Sequence, residues 1–133
     1  MEICEIEGIG PAYGARLEKA GIKSPAALLE KGATPEGREA LAIASNIPEK
    51  LIRDWVNRVD LTRVNGIGPQ FADLLEESGV DTIPDLAQRN AANLQKRLAQ
   101  VNEARNLANR TPSLSEVERW IREAKSLPRV VTH

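Results

Sequence analysis

The sequence contains very little of the side-chain chemistry on which most enzymes depend. It has one histidine, His133, and one cysteine, Cys4. No histidine is near this cysteine in the sequence, so no nucleophile–base pair is visible. Two such residues are also too few for a zinc site, which needs three or four protein ligands. We therefore predict no catalytic residue, no metal site and no cofactor.

Other absences limit where the protein works and what it binds. A single cysteine gives no disulfide framework, which is typical of proteins of the reducing cytoplasm. No apolar run approaches the ~18 residues of a membrane-spanning helix. The start at Met1 and Glu2 lacks the positive charge of a signal peptide. Aromatic residues make up only 3% of the chain, which argues against a platform for stacking single-stranded bases. We expect a cytoplasmic protein without a membrane partner.

A repeated tetrapeptide is the most informative feature that the sequence does contain. Gly-Ile-Gly-Pro begins at Gly8 and recurs 58 residues later, beginning at Gly66. The match continues at the same spacing through identical and conservative pairs: Ile6/Val64, Tyr13/Phe71, Leu17/Leu75, Glu18/Glu76, Gly21/Gly79, Ile22/Val80 and Leu28/Leu86. A fixed period of this kind indicates a duplicated structural unit.

Each tetrapeptide predicts a tight turn followed by a helix. Glycine permits positive φ and close backbone approach, and we expect Gly10 and Gly68 to be required for the turn. Proline favours the first helical position, so a helix is predicted to start at each proline. The glycine and apolar residue at 21–22 predict a Schellman-type helix end. A short apolar helical segment precedes each turn, at 3–6 and 61–64.

The remaining sequence predicts further helices and no strands, so the fold class is all-α. Ser24 and Thr34 are cap residues followed by proline, a pattern that starts helices. Ser113 begins a capping box. A helix over about 48–59 places Trp55 on its apolar face.

The second tryptophan indicates where the two copies differ in length. Trp120 matches Trp55 at a spacing of 65 residues rather than 58. We place the additional residues in a long helix over 91–109, with Ala108 on its apolar side. The predicted organisation is a first unit over residues 1–59, a second unit over 60–127 and a tail over 128–133.

The repeats resemble the helix-hairpin-helix superfamily of DNA repair proteins and the C-terminal domain of the bacterial RNA polymerase alpha subunit. The residues that carry this resemblance are Gly8-Ile9-Gly10-Pro11, Leu17, Ala20-Gly21-Ile22, Ser24 and Leu28. The chain also resembles a prokaryotic family of tandem helix-hairpin-helix proteins of unknown function. This second resemblance rests on Gly37-Arg38, Trp55-Val56-Asn57-Arg58, Asp60-Leu61, Arg63-Val64 and Gly79-Val80-Asp81-Thr82.

The resemblance implies both a fold and a binding mode. The fold would be two tandem double helix-hairpin-helix units, each of the five-helix, SAM-like kind, that form one compact pseudo-repeat. In the superfamily, backbone amides of the hairpin bind a phosphate oxygen, as other helix N-termini do. The implied phosphate-binding residues are Gly8, Ile9, Gly10, Gly66, Ile67 and Gly68. Contacts of this kind do not read the base sequence.

The distribution of charge gives a mixed indication. The formal net charge is −1 and the pI is about 5.9, whereas nucleic-acid binders usually have a basic face. Arg16 and Lys19 on the first hairpin helix favour the first copy as a phosphate site. Residues 86–133 carry an excess of basic side chains, of which Arg97 and Arg105 are the predicted basic patch.

Two functions remain open at this point. The first is a non-catalytic module that binds duplex nucleic acid weakly and without sequence preference, through the hairpin amides. The second is a protein-interaction adaptor that keeps the helix-hairpin-helix fold and has lost nucleic-acid binding. The intact Gly-Ile-Gly turn in both copies favours the first.

Overall fold

The computed structural model describes all residues from Met1 to His133, which form helices and no strands. The predicted all-α class is confirmed. None of the helices is both long enough and apolar enough to span a membrane. In chain order the elements are a 3₁₀ helix Ile3–Glu5, α1 Pro11–Lys19, α2 Pro25–Lys31, α3 Pro35–Ser45, α4 Glu49–Leu61, α5 Pro69–Glu77, α6 Ile83–Ala87, α7 Ala91–Arg105 and α8 Leu114–Ser126.

Side-chain caps determine where most of these helices begin. Ser24, Thr34 and Thr82 precede α2, α3 and α6, and each side-chain oxygen accepts a hydrogen bond from the amide three residues later. Asn90 caps α7 in the same way, and Ser113 forms the predicted capping box at α8. These bonds satisfy amides that have no partner within their own helix.

Glycine ends α1 and α5 in Schellman motifs, as predicted. The amide of Ile22 donates to the carbonyl of Leu17 at 2.8 Å, the long backbone bond that defines the motif. Gly21 has a φ of 90°, and Gly79 at the end of α5 has a φ of 97°. Only glycine adopts this left-handed conformation at little cost.

The chain divides into two units, and the boundary lies in the last turn of α4. The first unit comprises Met1–Asp60 together with Val130–His133. Trp55 is its largest buried side chain, 1% exposed, and its ring lies 5.3 Å from that of Tyr13. The buried core contains Ile6, Ile9, Leu17, Ile22, Leu28, Leu41, Ile47, Ile52, Trp55, Val56, Val59 and Val131.

The last residues of the chain are bound within the first unit by a buried arginine. Val131 is 3% exposed and belongs to the core. The amide of Thr132 donates to the carbonyl of Ala33 at 2.8 Å. Arg38 donates to the carbonyls of Gly32 and Thr132 at 2.8 and 2.7 Å. Burial lowers the pKa of this guanidinium, so the two carbonyls compensate for part of its lost hydration.

The second unit, Leu61–Arg129, has its own core around Trp120. Helices α6 and α7 both pack against α8, and the Trp120 ring lies 5.3 Å from that of Phe71. The buried core contains Leu61, Val64, Ile67, Ala72, Leu74, Leu75, Val80, Ile83, Leu86, Leu94, Leu98, Val101, Ala108, Val117, Trp120, Ile121 and Ala124.

The predicted helix over 91–109 is too long. Helix α7 ends at Arg105, and Asn106 adopts the left-handed conformation with a φ of 53°. Ala108 therefore lies in the loop after the helix, where its amide donates to Oδ1 of Asn102 at 2.8 Å. The additional residues of the second repeat are divided between α7, which has 15 residues against 11 in α3, and this loop.

The helical segment predicted over 61–64 is also wrong. The helix predicted over 48–59 continues to Leu61 as α4, because nothing in the sequence breaks it at residue 59. A turn follows, in which the amide of Val64 donates to the carbonyl of Leu61 at 3.2 Å. The corresponding segment of the first repeat is the 3₁₀ helix Ile3–Glu5.

The burial of Trp55 gives a test of the first core. Trp55→Ala removes a ring that is almost fully enclosed, and we expect a loss of roughly 3–5 kcal/mol in the free energy of unfolding. Ile43→Ala is the control, because Ile43 is 77% exposed and its loss should change stability by less than about 0.5 kcal/mol. Urea denaturation measures both. Equal effects of the two substitutions would contradict this core.

Candidate nucleic-acid interface

The two Gly-Ile-Gly turns have nearly the same backbone conformation. Gly8 and Gly66, the first glycine of each turn, have φ values of 92° and 91°. Gly10 and Gly68, the second glycines, have ordinary φ values of −84° and −93°. The prediction that the second glycines are required for the turn is therefore wrong. The first glycines have that role, because other residues rarely adopt positive φ.

A buried tryptophan lies against the first glycine of each turn. A Cβ atom on Gly8 would lie 2.9 Å from Nε1 of Trp55. A Cβ atom on Gly66 would lie 3.2 Å from Nε1 of Trp120 and 3.0 Å from a terminal nitrogen of Arg119. Both the conformation and the close approach of these side chains therefore exclude a side chain at the first position.

The fold does not explain the second glycine of each turn in this way. A Cβ atom on Gly10 or Gly68 would have no atom within 4 Å, and the backbone there is extended. Each residue is the N-cap of a nine-residue helix, α1 or α5, a position where Ser, Asp or Asn is at least as favourable as Gly. The fold accepts these glycines without requiring them.

The isoleucines of the turns belong to the two cores. Ile9 is 2% exposed and Ile67 is 3% exposed. The amide of Ile9 donates to the carbonyl of Ile6 at 3.0 Å, and that of Ile67 donates to Val64 at 3.1 Å. Of the three amides predicted to bind phosphate in each turn, the central one already has an acceptor.

The glycine amides have no acceptor within the protein. No internal hydrogen bond is formed by the amides of Gly8 and Gly10, or by those of Gly66 and Gly68. The first-turn amides of α1 and α5 also lack intrahelical acceptors, as at every helix N-terminus. Each turn therefore concentrates backbone donors at the end of a helix where the helix dipole is positive.

An arginine accompanies each turn, which the sequence analysis did not find. In the first unit Arg58 of α4 donates to the carbonyl of Glu7 at 3.1 Å. In the second unit Arg119 of α8 donates to the carbonyl of Asn65 at 3.3 Å. These carbonyls occupy equivalent positions in the repeats, but the arginines come from different positions on their helices. A comparison at a fixed spacing does not pair them.

The other cations predicted for the first turn lie elsewhere. Arg16 and Lys19 are in the last turn of α1, about 8–14 Å along the helix axis from its start at Gly10. Arg16 donates to the carbonyl of Asn46 at 3.3 Å and lies over the Tyr13 ring. The helix dipole at this end is negative. The structure does not bring these side chains to the Gly8–Gly10 amides.

The second turn borders an open hollow of about 310 Å³, which is lined by Gly66, Gly68, Pro69, Gln70 and Phe71. The Arg110 guanidinium lies 5.2 Å from the centre of the Phe71 ring. Two hydrogen bonds of 2.7 and 2.8 Å hold Arg110 to the Glu116 carboxylate. These bonds, with one from the Ser113 amide, lower the pKa of Glu116 to about 2. Arg110 is therefore neutralised at ordinary pH.

The predicted basic patch is not a single patch. Arg97 and Arg105 are eight residues apart on α7, which separates them by about 12 Å along the helix axis. Arg105 forms an ion pair with Glu77. Arg97 instead lines a separate hollow beside the start of α7. The structure leaves Arg97 in a different group of side chains.

Comparison with known families identifies the fold's relatives without assigning an activity. Residues 7–127 match the model of the family described as Domain of unknown function (DUF4332). The chain belongs to this family. Searches of curated proteins and of solved structures gave no match. Family membership is thus established, and function has to be argued from the turns themselves.

The unequal roles of the two glycines can be tested by the same substitution at both. Gly8→Thr places a β-branched residue at positive φ against Trp55, and we expect a loss of about 2 kcal/mol in the free energy of unfolding. Gly10→Thr should change stability by less than about 0.5 kcal/mol, because Thr and Gly are similar N-cap residues. Urea denaturation of the two variants decides this. A larger loss for Gly10→Thr would reverse the assignment.

Proposed function

We propose that this protein is a non-catalytic module that binds the phosphate backbone of duplex nucleic acid through its two Gly-Ile-Gly turns, without reading sequence. The observation that carries the proposal is the second glycine of each turn. Gly10 and Gly68 have ordinary φ values and empty space where a side chain would lie. A bare backbone at this position is useful if a group from outside the protein approaches it closely.

The free donors around these glycines fit a phosphate oxygen. The amides of Gly8 and Gly10 lack internal acceptors and lie at the positive end of α1, and Gly66 and Gly68 have the same arrangement at α5. Backbone amides at a helix N-terminus bind anions by hydrogen bonds and by the helix dipole together. Arg58 and Arg119 add a positive charge beside each turn.

The repeated geometry also supports a finer description of the fold. In each unit a glycine at positive φ turns the chain between a short helical segment and a helix that starts with proline. We interpret the two units as tandem double helix-hairpin-helix domains that form one compact pseudo-repeat. On this interpretation α3 with α4, and α7 with α8, are the second hairpins, turned by Asn46 and Asn106 in the left-handed conformation.

The same contacts imply weak binding. Phosphate contacts give no base discrimination, and a net charge of −1 supplies no general attraction to nucleic acid. Ala12 and Gln70, two residues beyond the second glycine, bring no cation to the turns. Gln70 instead accepts a hydrogen bond from the amide of Asn109. The second turn has the exposed Arg119 beside it, so we expect it to contribute at least as much as the first.

The experiment is a salt titration of duplex DNA binding, measured by fluorescence anisotropy. With about two to four phosphates neutralised, the slope of log K against log salt should be roughly −2 to −4. The affinity should be the same for duplexes of different sequence. Arg119→Ala should reduce the slope by about 1.

A matched pair of double variants tests the turns directly. Gly10→Thr with Gly68→Thr blocks the approach to both sets of amides and should abolish most of the binding. Ala40→Thr with Ala104→Thr adds similar side chains at exposed helical positions and should leave binding unchanged. Equal affinities of the two double variants would refute binding through the turns. An absence of wild-type binding at low salt would favour the protein-interaction adaptor instead.

A further inference from the structure

A second surface of the Leu61–Arg129 unit lies around the turn between α6 and α7. A groove of about 460 Å³ separates α6 from the C-terminal end of α8. Its lining includes the apolar residues Pro84, Ala87 and Leu127, and the cations Lys125 and Arg129. A groove that combines apolar lining with cations differs from an ordinary solvated helix face, which is polar throughout.

A smaller hollow of about 270 Å³ lies beside the start of α7. Gln88 lines both the hollow and the larger groove, so the two meet at this residue. Arg89, Leu94 and Arg97 are among the other residues of the hollow. We call the groove and the hollow together the Gln88 surface.

The Gln88 surface carries positive charge that the protein does not neutralise. No carboxylate lines either part of it. Arg89 is bound to Asp85, but Arg97, Lys125 and Arg129 are exposed and form no ion pair or hydrogen bond within the protein. Arg105 and Arg110, in contrast, pair with glutamates of the same unit.

We propose that the Gln88 surface is a docking site for an acidic peptide segment that also carries an apolar side chain. Carboxylates of the partner would meet Arg97, Lys125 and Arg129, and this complementarity favours encounter and orientation. The apolar side chain would cover the lining of the larger groove and remove it from water. The Gln88 amide can donate to and accept from a peptide backbone.

The apolar lining distinguishes this partner from nucleic acid. A phosphodiester backbone satisfies cations, but it has no apolar group that could cover Pro84, Ala87 and Leu127. The surface is also separate from the Gly66–Gly68 turn, because its α8 residues are at the C-terminal end of that helix and Arg119 beside the turn is earlier in it. A peptide here would therefore be bound independently of the turns.

A displayed library of random peptides, selected on the immobilised full-length chain, tests the proposal. Enriched peptides should combine Asp or Glu with apolar residues. Arg97→Ala with Lys125→Ala should weaken their binding at least about tenfold in anisotropy, a difference of 1.4 kcal/mol. Lys96→Ala with Arg122→Ala is the matched control. These are exposed cations of the same two helices outside the surface, and their loss should change affinity less than about twofold.

Three results would overturn the proposal. The first is no enrichment of acidic peptides. The second is an equal loss of affinity in the two double variants, which would indicate attraction by charge alone. The third is duplex DNA binding that depends on Arg97 and Lys125 while no peptide depends on them, which would make the surface a nucleic-acid contact. Circular dichroism of the variants checks that the fold is unchanged.

Discussion

The contact between a buried tryptophan and a glycine at positive φ organises each unit of this protein. Trp55 lies where a side chain on Gly8 would be, and Trp120 has the same relation to Gly66. This contact fixes the turn, and the turn then directs its isoleucine into the core while the following helix starts at the surface. The free amides at that helix start are a consequence of the packing beneath them.

Local signals in the sequence predicted the fold class, the helix caps and the Schellman ends, because these depend on neighbouring residues. Sequence could not show which glycine of each turn has positive φ, since the Gly-Ile-Gly pattern is symmetrical. The end of α7 at Arg105 was missed because Asn106, rather than glycine, adopts the left-handed conformation there. The Arg38–Thr132 bond was also missed, since it joins residues 94 positions apart that share no local pattern.

The candidate site differs from its prediction in a way that sharpens the functional argument. The predicted cations Arg16 and Lys19 lie at the wrong end of α1, whereas the unpredicted Arg58 and Arg119 lie beside the turns. The first glycine of each turn has a structural reason, and the second has none of the same kind. A purely structural role for the turns explains Gly8 and Gly66, but it leaves the bare backbone at Gly10 and Gly68 without a purpose.

The most direct measurement of this account is an amide-resolved nuclear magnetic resonance titration of the isotope-labelled protein with a short DNA duplex at low salt. The account predicts that the amide signals of Gly8, Gly10, Gly66 and Gly68 shift in a saturable manner. The amides of the buried isoleucines between them should shift less, since those amides already have acceptors. Shifts confined to other surfaces, with the four glycine amides unchanged, would contradict phosphate binding by the turns.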